Sequence, residues 1–148
     1  MNSLKTFSAA ALFSCLAMSA ALAETFEVKM LNQGEKGSMV FEPDFVALKP
    51  GDTVRFIPTH KSHNVATIDG MVPESASGFK SKINEAFEIA LDHPGFYGIK
   101  CSPHYGMGMV MLIKVGDAQL PDSYKAVVHP ARAKPRFDAL LAAAEAKP

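Results

Sequence analysis

Residues 100–114 read KCSPHYGMGMVMLIK. Within them a thiol, an imidazole and a thioether follow one another as Cys101, His104 and Met109, a Cys-x2-His-x4-Met spacing. Both flanks predict strands: Phe96 to Cys101 follows the turn signal Pro94-Gly95, and Met109 to Val115 is apolar and β-branched. Between them Pro103, Gly106 and Gly108 supply a loop that bends sharply enough to wrap its donors around a single ion. Soft sulfur beside imidazole selects copper over magnesium, calcium or manganese, and two His, one Cys and a weak axial Met form the donor set of electron-transfer copper. The stretch holds one histidine, so a second has to come from elsewhere. Met107 and Met111 compete with Met109 for the axial place: Met111 shares the strand face of Met109, and Met107 lies in the loop.

Outside the stretch stand His60, His63, His93 and His129, of which His63 is the best placed. It lies in THKSHNV, ahead of the alternating Val65-Ala66-Thr67-Ile68, where a strand start aims it at the loop. Taken singly, His63 also fits a surface histidine beside a turn, and Met109 a core residue at the head of a strand. The combination with a sole thiol and an export signal favours a metal site. His60, His93 and His129 read as solvated or hydrogen-bonded histidines.

His63-Asn64 upstream, followed by Cys-x2-His-x4-Met, resembles the cupredoxins, the small type 1 blue copper proteins, and among them the pseudoazurin group most closely. The resemblance runs from about Glu24 to the C-terminus and includes FEPDFVALKPGDTVRF, HNV, the tyrosine ahead of the cysteine and a helical tail. It implies His63, Cys101, His104 and Met109 as ligands of one copper ion, and it decides for Met109 over Met107 and Met111. It places Asn64, Pro103 and Met39 beside them, with the Asn64 backbone amide donating to the Cys101 sulfur and the Asn64 side chain tying two ligand loops together. It also implies a His104 ring edge at the surface as the electron port.

Working outward, Phe26, Val28 and Met30 alternate with Thr25, Glu27 and Lys29, predicting a half-buried strand that ends at Asn32-Gln33-Gly34. Met39 to Phe41, Phe45 to Leu48 and Val54 to Ile57 predict further strands. Pro43 marks an edge or bulge, and Lys49-Pro50-Gly51-Asp52 a turn. Ser81 to Leu91 fits both periods, and it is read as a strand because the cysteine strand needs an antiparallel neighbour. Tyr97, after Pro94-Gly95, resembles the tyrosine corner of Greek-key sandwiches, with its hydroxyl bonded to upstream backbone. The expected fold is therefore all-β, a Greek-key β-sandwich over residues 24–117. Residues 118–148 form a two-helix extension packed on it: Pro121 to Val128 and Lys134 to Ala146 carry helix formers, and Phe137, Leu140, Leu141 and Ala144 share one face.

Met1 to Ala23 has the form of an export signal, with Lys5, an apolar stretch from Ala9 to Ala17 and the small-x-small end Ala21-Leu22-Ala23. Its apolar run is shorter than the roughly 20 residues of a membrane span. Its removal takes away Cys15 and leaves Cys101 alone in an oxidising compartment, where occupation by a metal protects a thiol. The remaining chain carries 14 basic and 15 acidic residues, net −1, which is no field for nucleic acid. A lone cysteine excludes a structural zinc site of two or more thiolates. A thiol hydrolase would need a group to orient its base and an oxyanion loop, and neither is evident. A copper carrier is a further alternative, suggested by the run Met107, Met109, Met111.

The resemblance thus implies a monomeric periplasmic electron carrier, not an enzyme, cycling copper between its two oxidation states. The family's partners are a nitrite reductase of denitrification, copper- or haem-containing, as acceptor and a c-type cytochrome as donor. Lys61, Lys80, Lys82 and Lys100 are expected to ring an apolar centre that includes Met107, fitting an acidic partner surface.

Overall fold

The computed structural model describes residues 22–146. The expected export signal, Met1–Ala23, lies outside the described residues except for its last two positions. In chain order the strands are β1 (Thr25–Gly34), β2 (Gly37–Glu42), β3 (Phe45–Leu48), β4 (Thr53–Ile57), β5 (Ala66–Thr67), β6 (Phe87–Ala90), β7 (Gly95–Lys100) and β8 (Val110–Val115), followed by helix α1 (Ala133–Glu145). They form two four-stranded sheets, ordered β2-β1-β4-β6 and β3-β8-β7-β5. β1 with β4 and β3 with β8 run parallel, and the remaining neighbours are antiparallel.

The alternation in β1 buries Val28 and Met30 and leaves Glu27 and Lys29 outside. These inward residues, with Phe41, Val54 and Phe56, meet Tyr97, Ile99, Met111, Ile113 and Val115 of the opposite sheet. Phe41 and Phe56 meet edge to face, with centroids 6.1 Å apart. Each fully buried side chain of this size contributes about 1.5–3 kcal/mol. The outer face of the second sheet is covered as well: Phe96, Val110 and Leu112 pack against Phe137, Leu140, Leu141 and Ala144 of α1. β8 is therefore buried on both faces, which explains why 109–113 reads as an unbroken apolar run rather than an alternation. Tyr97 forms the expected corner, its hydroxyl donating to the His93 carbonyl at 2.9 Å.

Three expectations need correction. Of Ser81–Leu91 only Phe87–Ala90 is strand, and it pairs with β4 rather than with the cysteine strand, whose neighbours are β5 and β8. Ile83, in the part of this stretch that is not strand, is 52% exposed, and the chain there turns back toward His63, with the Asn84 amide bonded to the His63 carbonyl at 2.9 Å. The strand expected to follow His63 is only two residues long: Ala66 and Thr67 pair with β7 on one side and with Lys80 and Phe79 on the other, and the chain turns at Asp69-Gly70. In the tail, Pro121 to Val128 gives a single 3-10 segment, Asp122–Ala126, and among the described residues the C-terminal helix is the one full α-helix. Too short for its own apolar stripe, that segment is held by Tyr124, whose hydroxyl donates to the Phe96 carbonyl at 2.7 Å.

Candidate metal centre

β7 and β8 are joined by residues 101–109, and their register fixes the loop's ends. The last ladder pair is Lys100 with Val110, and the Cys101 amide then donates to the Met109 carbonyl at 3.0 Å. Cys101 and Met109 are thus opposed where the two strands part. Between them Ser102–Met107 forms one 3-10 segment, with Pro103 in its first turn and Gly108 closing it at φ 92°. The Met109 amide returns to the His104 carbonyl at 3.1 Å. A Cys-x2-His-x4-Met spacing is what this turn requires, because it brings the third and eighth residues after Cys101 back to its own end of the sheet.

Three donor atoms converge there. The His104 Nδ1 stands 3.1 Å from the His63 Nδ1 and 3.5 Å from the Cys101 Sγ, and the His63 Nδ1 is 3.7 Å from the same sulfur. A circle through those three atoms has a radius of about 2.0 Å, close to the ~2.0–2.3 Å of bonds from a small divalent metal to nitrogen and thiolate. The residues therefore fit an ion in the plane of the trio. His63, Cys101 and Met109 are fully buried, whereas His104 is half-buried and sits on the loop. Met109 belongs to the same buried cluster as Cys101. Met111 is also fully buried, two residues further along the strand, and Met107 is 40% exposed.

The surroundings hold these donors in a metal-ready state. Burial, followed by the charges of His104 and His60, pulls His63 down to about 4, so its imidazole is neutral near neutral pH. Its Nε2 meets the Asn32 Oδ1 at 2.8 Å. An amide oxygen only accepts, so Nε2 carries the hydrogen and Nδ1 keeps its lone pair for the metal. Burial raises the Cys101 thiol, while the backbone amides of Asn64 and His104 at the sulfur pull it the other way. A thiolate here would thus be stabilised by a bound cation and by two fixed dipoles rather than by water. The Asn64 side chain accepts from the Ser102 amide at 2.7 Å and donates to the Ser102 hydroxyl and the Ser81 carbonyl, each at 3.2 Å. One buried amide therefore joins the His63 segment to the Cys101 loop, as expected.

The other expected neighbours differ in kind. Met39 adopts a left-handed φ of 50° and packs partly buried against the cluster of Cys101 and Met109, and Pro103 is exposed in the first turn of the loop. Lys80 and Lys100 line one groove with Ser102 and Tyr105, and the Lys100 ammonium lies 5.2 Å from the Tyr105 ring centre. Lys61 is exposed two positions before His63. Lys82 is exposed and loosely paired with Glu85 at 3.7 Å. Asn32 was not expected at the site. Its contact with His63 spans 31 residues and depends on where β1 ends, for which Asn32-Gln33-Gly34 signals only a turn. His60 and His129 prove hydrogen-bonded, His60 accepting from the Asn32 amide and His129 meeting the Tyr105 hydroxyl.

A sandwich with a His-Cys-His trio and a buried methionine at one end defines a single-ion copper protein of the cupredoxin class. The chain belongs to the plastocyanin/azurin family of copper-binding proteins, whose model matches residues 28–116. It is 52% identical over 136 residues to a pseudoazurin of Paracoccus pantotrophus, covering 90% of this chain and 94% of that one. A pseudoazurin of Methylorubrum extorquens is 46% identical over 123 residues, covering 82% and 83% of the two chains. Among solved structures, the crystal structure of pseudoazurin from Methylobacterium extorquens AM1 superposes with a TM-score of 0.76 at 46% identity, covering 81% of this chain and 98% of that one. Native pseudoazurin from Hyphomicrobium denitrificans gives 0.74 at 38% identity, covering 80% and 97%.

Proposed function

We propose that this chain is a periplasmic electron carrier holding one copper ion through His63, Cys101, His104 and Met109, and that it passes electrons from a c-type cytochrome to a nitrite reductase. The observation that carries this reading is the convergence of two Nδ1 atoms and one Sγ, within 3.1 to 3.7 Å of one another, at a half-buried histidine. Bound copper would supply a one-electron couple; everything else is the work of the chain. The buried pair His63 and Cys101 is anchored by Asn32, Asn64 and the β7–β8 register, so the donors move little when charge changes. Met109 supplies a weak donor from the buried strand end, which tunes the potential. His104, on the loop, offers the short route to the surface.

Lys61, Lys80 and Lys100 would supply positive charge near that route, and Met107 and Ile83 are exposed apolar side chains that would add apolar surface to it. Such a patch suits a small, weak encounter with an acidic partner, guided by charge and screened by salt. The alternative of a copper carrier asks for accessible thioethers. Met109 and Met111 are fully buried, which leaves Met107 alone at the surface among the loop methionines. Stopped-flow transfer from the reduced, copper-loaded protein to nitrite reductases with acidic and with basic docking faces tests the proposal. Fast, salt-sensitive transfer to the acidic one is expected. Equal, slow transfer to both would overturn the partner assignment.

A further inference from the structure

The tail helix hydrogen-bonds to the ligand loop through the Arg136 side chain. The Arg136 Nη1 donates to the carbonyl oxygens of Gly108 and Met39, each at 2.9 Å, and Nη2 donates to the Ser38 carbonyl at 3.0 Å. These bonds span 28 to 98 residues of sequence and gather the ligand loop and the start of β2 on one planar fork, a geometry that Lys, as a point charge, does not reproduce. The approach is tight: a Cβ on Gly108 would stand 2.8 Å from the Arg132 carbonyl oxygen and 3.3 Å from the Arg136 Cδ. The Gly108 carbonyl belongs to the peptide unit whose N–H is that of Met109, and that N–H in turn holds the His104 carbonyl at 3.1 Å. On the other branch, the carbonyl belongs to Met39, whose left-handed conformation a non-glycine adopts only when its surroundings hold it there. A second tie lies three residues from the first along the loop: the Tyr105 hydroxyl meets the His129 Nδ1 at 2.6 Å, and the His129 ring stacks on Phe137 of α1.

We propose that Arg136 is a positioning residue of the metal centre: seated by α1, it fixes the Gly108–Met109 peptide and the Met39 carbonyl, and so sets where Met109 stands relative to His63, Cys101 and His104. The tail is then part of the frame of the ligand loop as well as a cover for the outer face of the second sheet. The inference rests on the copper reading for its spectroscopic consequence, but the clamp itself is a property of the metal-free chain.

Arg136→Met keeps the apolar stem and removes the donors. In the metal-free full chain, amide exchange at Gly108 and Met109 should then rise by about tenfold or more, the scale of a lost charge-assisted hydrogen bond, while β1 and β4 keep their protection. In the copper-loaded chain the same variant should shift the reduction potential and the visible spectrum, and Arg136→Lys should recover only part of both. Lys134→Met, on the solvent side of the same helix where Lys134 pairs with Asp138, should move neither. Unchanged exchange at Gly108 and Met109, or a potential and spectrum identical to the parent's, would overturn the proposal. If Arg136→Met does not fold, Arg136→Lys carries the same comparison. A parent chain that takes up no copper would refute the function proposed above, and the exchange measurement would still decide the clamp.

Discussion

The Asn32 Oδ1 lies 2.8 Å from the His63 Nε2, on the side of the ring away from the Cys101 sulfur. That contact fixes both the ring's rotation and its tautomer, and His63 is fully buried, so no water replaces the partner if it is lost. Asn32→Ala should therefore leave the sandwich folded but lower copper affinity by about 10–100-fold. A competition titration against a chelator of known affinity measures this. Affinity equal to the parent's would show that packing alone orients the ring.

Asn64→Ala breaks the tie between the His63 segment and the Cys101 loop. The Ser102 amide and the Ser81 carbonyl lose their partner together, at a buried position. A cost of about 2 kcal/mol in unfolding free energy is expected from such an unmet buried amide, read as a lower denaturant midpoint. A midpoint within error of the parent's would mean that the two loops are held elsewhere.

How much of this was legible in the sequence follows from the separation of the parts. Cys101, His104 and Met109 sit on one nine-residue turn, so local spacing carries their geometry, and His63 was drawn in by its neighbours Asn64 and Val65. Asn32 and Arg136 act across 31 and up to 98 residues, through sheet register and helix docking that no local pattern encodes. The strands with clear period two were found within a residue or two. Ser81–Leu91 departs from the expected strand because its alternation holds over Phe87–Ala90 only, and because the cysteine strand already has β5 and β8 beside it. Pro121–Val128 carried helical composition, but Val127 leaves the segment at φ −67°, ψ 129°, extended backbone that ends it after one turn.

Acid stability has an identifiable source at Asp52. The backbone N–H groups of Glu24 and Lys49 donate to its carboxylate at 2.9 and 2.8 Å and hold it below the usual carboxylate range. A depressed folded value means that the charged form stabilises the fold. The contribution is present above the unfolded value of about 3.9 and is lost as pH falls through the lower folded value. Unfolding midpoints measured from pH 6 downward should therefore drop more steeply for the parent than for Asp52→Asn. Parallel curves would remove Asp52 from the account.

Charge reversal tests the docking face. Lys61→Glu should slow electron delivery to an acidic reductase by about tenfold at low ionic strength, a typical steering effect, and the deficit should shrink as salt approaches physiological levels. Lys61 is the cleaner choice, because Lys100 also lies over the Tyr105 ring and its loss would disturb the loop. Parent and variant rates that agree at low salt would sink steering while leaving the metal site intact.

The axial assignment separates from the rest through Met109→Gln, which should retain copper and shift the reduction potential, since the axial donor tunes it. The same change at Met111, buried two residues further along β8, should reduce stability rather than move the potential. Voltammetry on both variants decides between them, and a shift confined to Met111→Gln would reassign the ligand.

The most direct test of the metal centre is a titration of the purified metal-free protein with Cu(II), followed in the visible spectrum beside Cys101→Ser. An intense thiolate-to-copper band that saturates at one equivalent in the parent and is missing from the still-folded serine variant is the predicted result. A parent without that band, or a serine variant that keeps it, would contradict the assignment of His63, Cys101 and His104 as a single copper site.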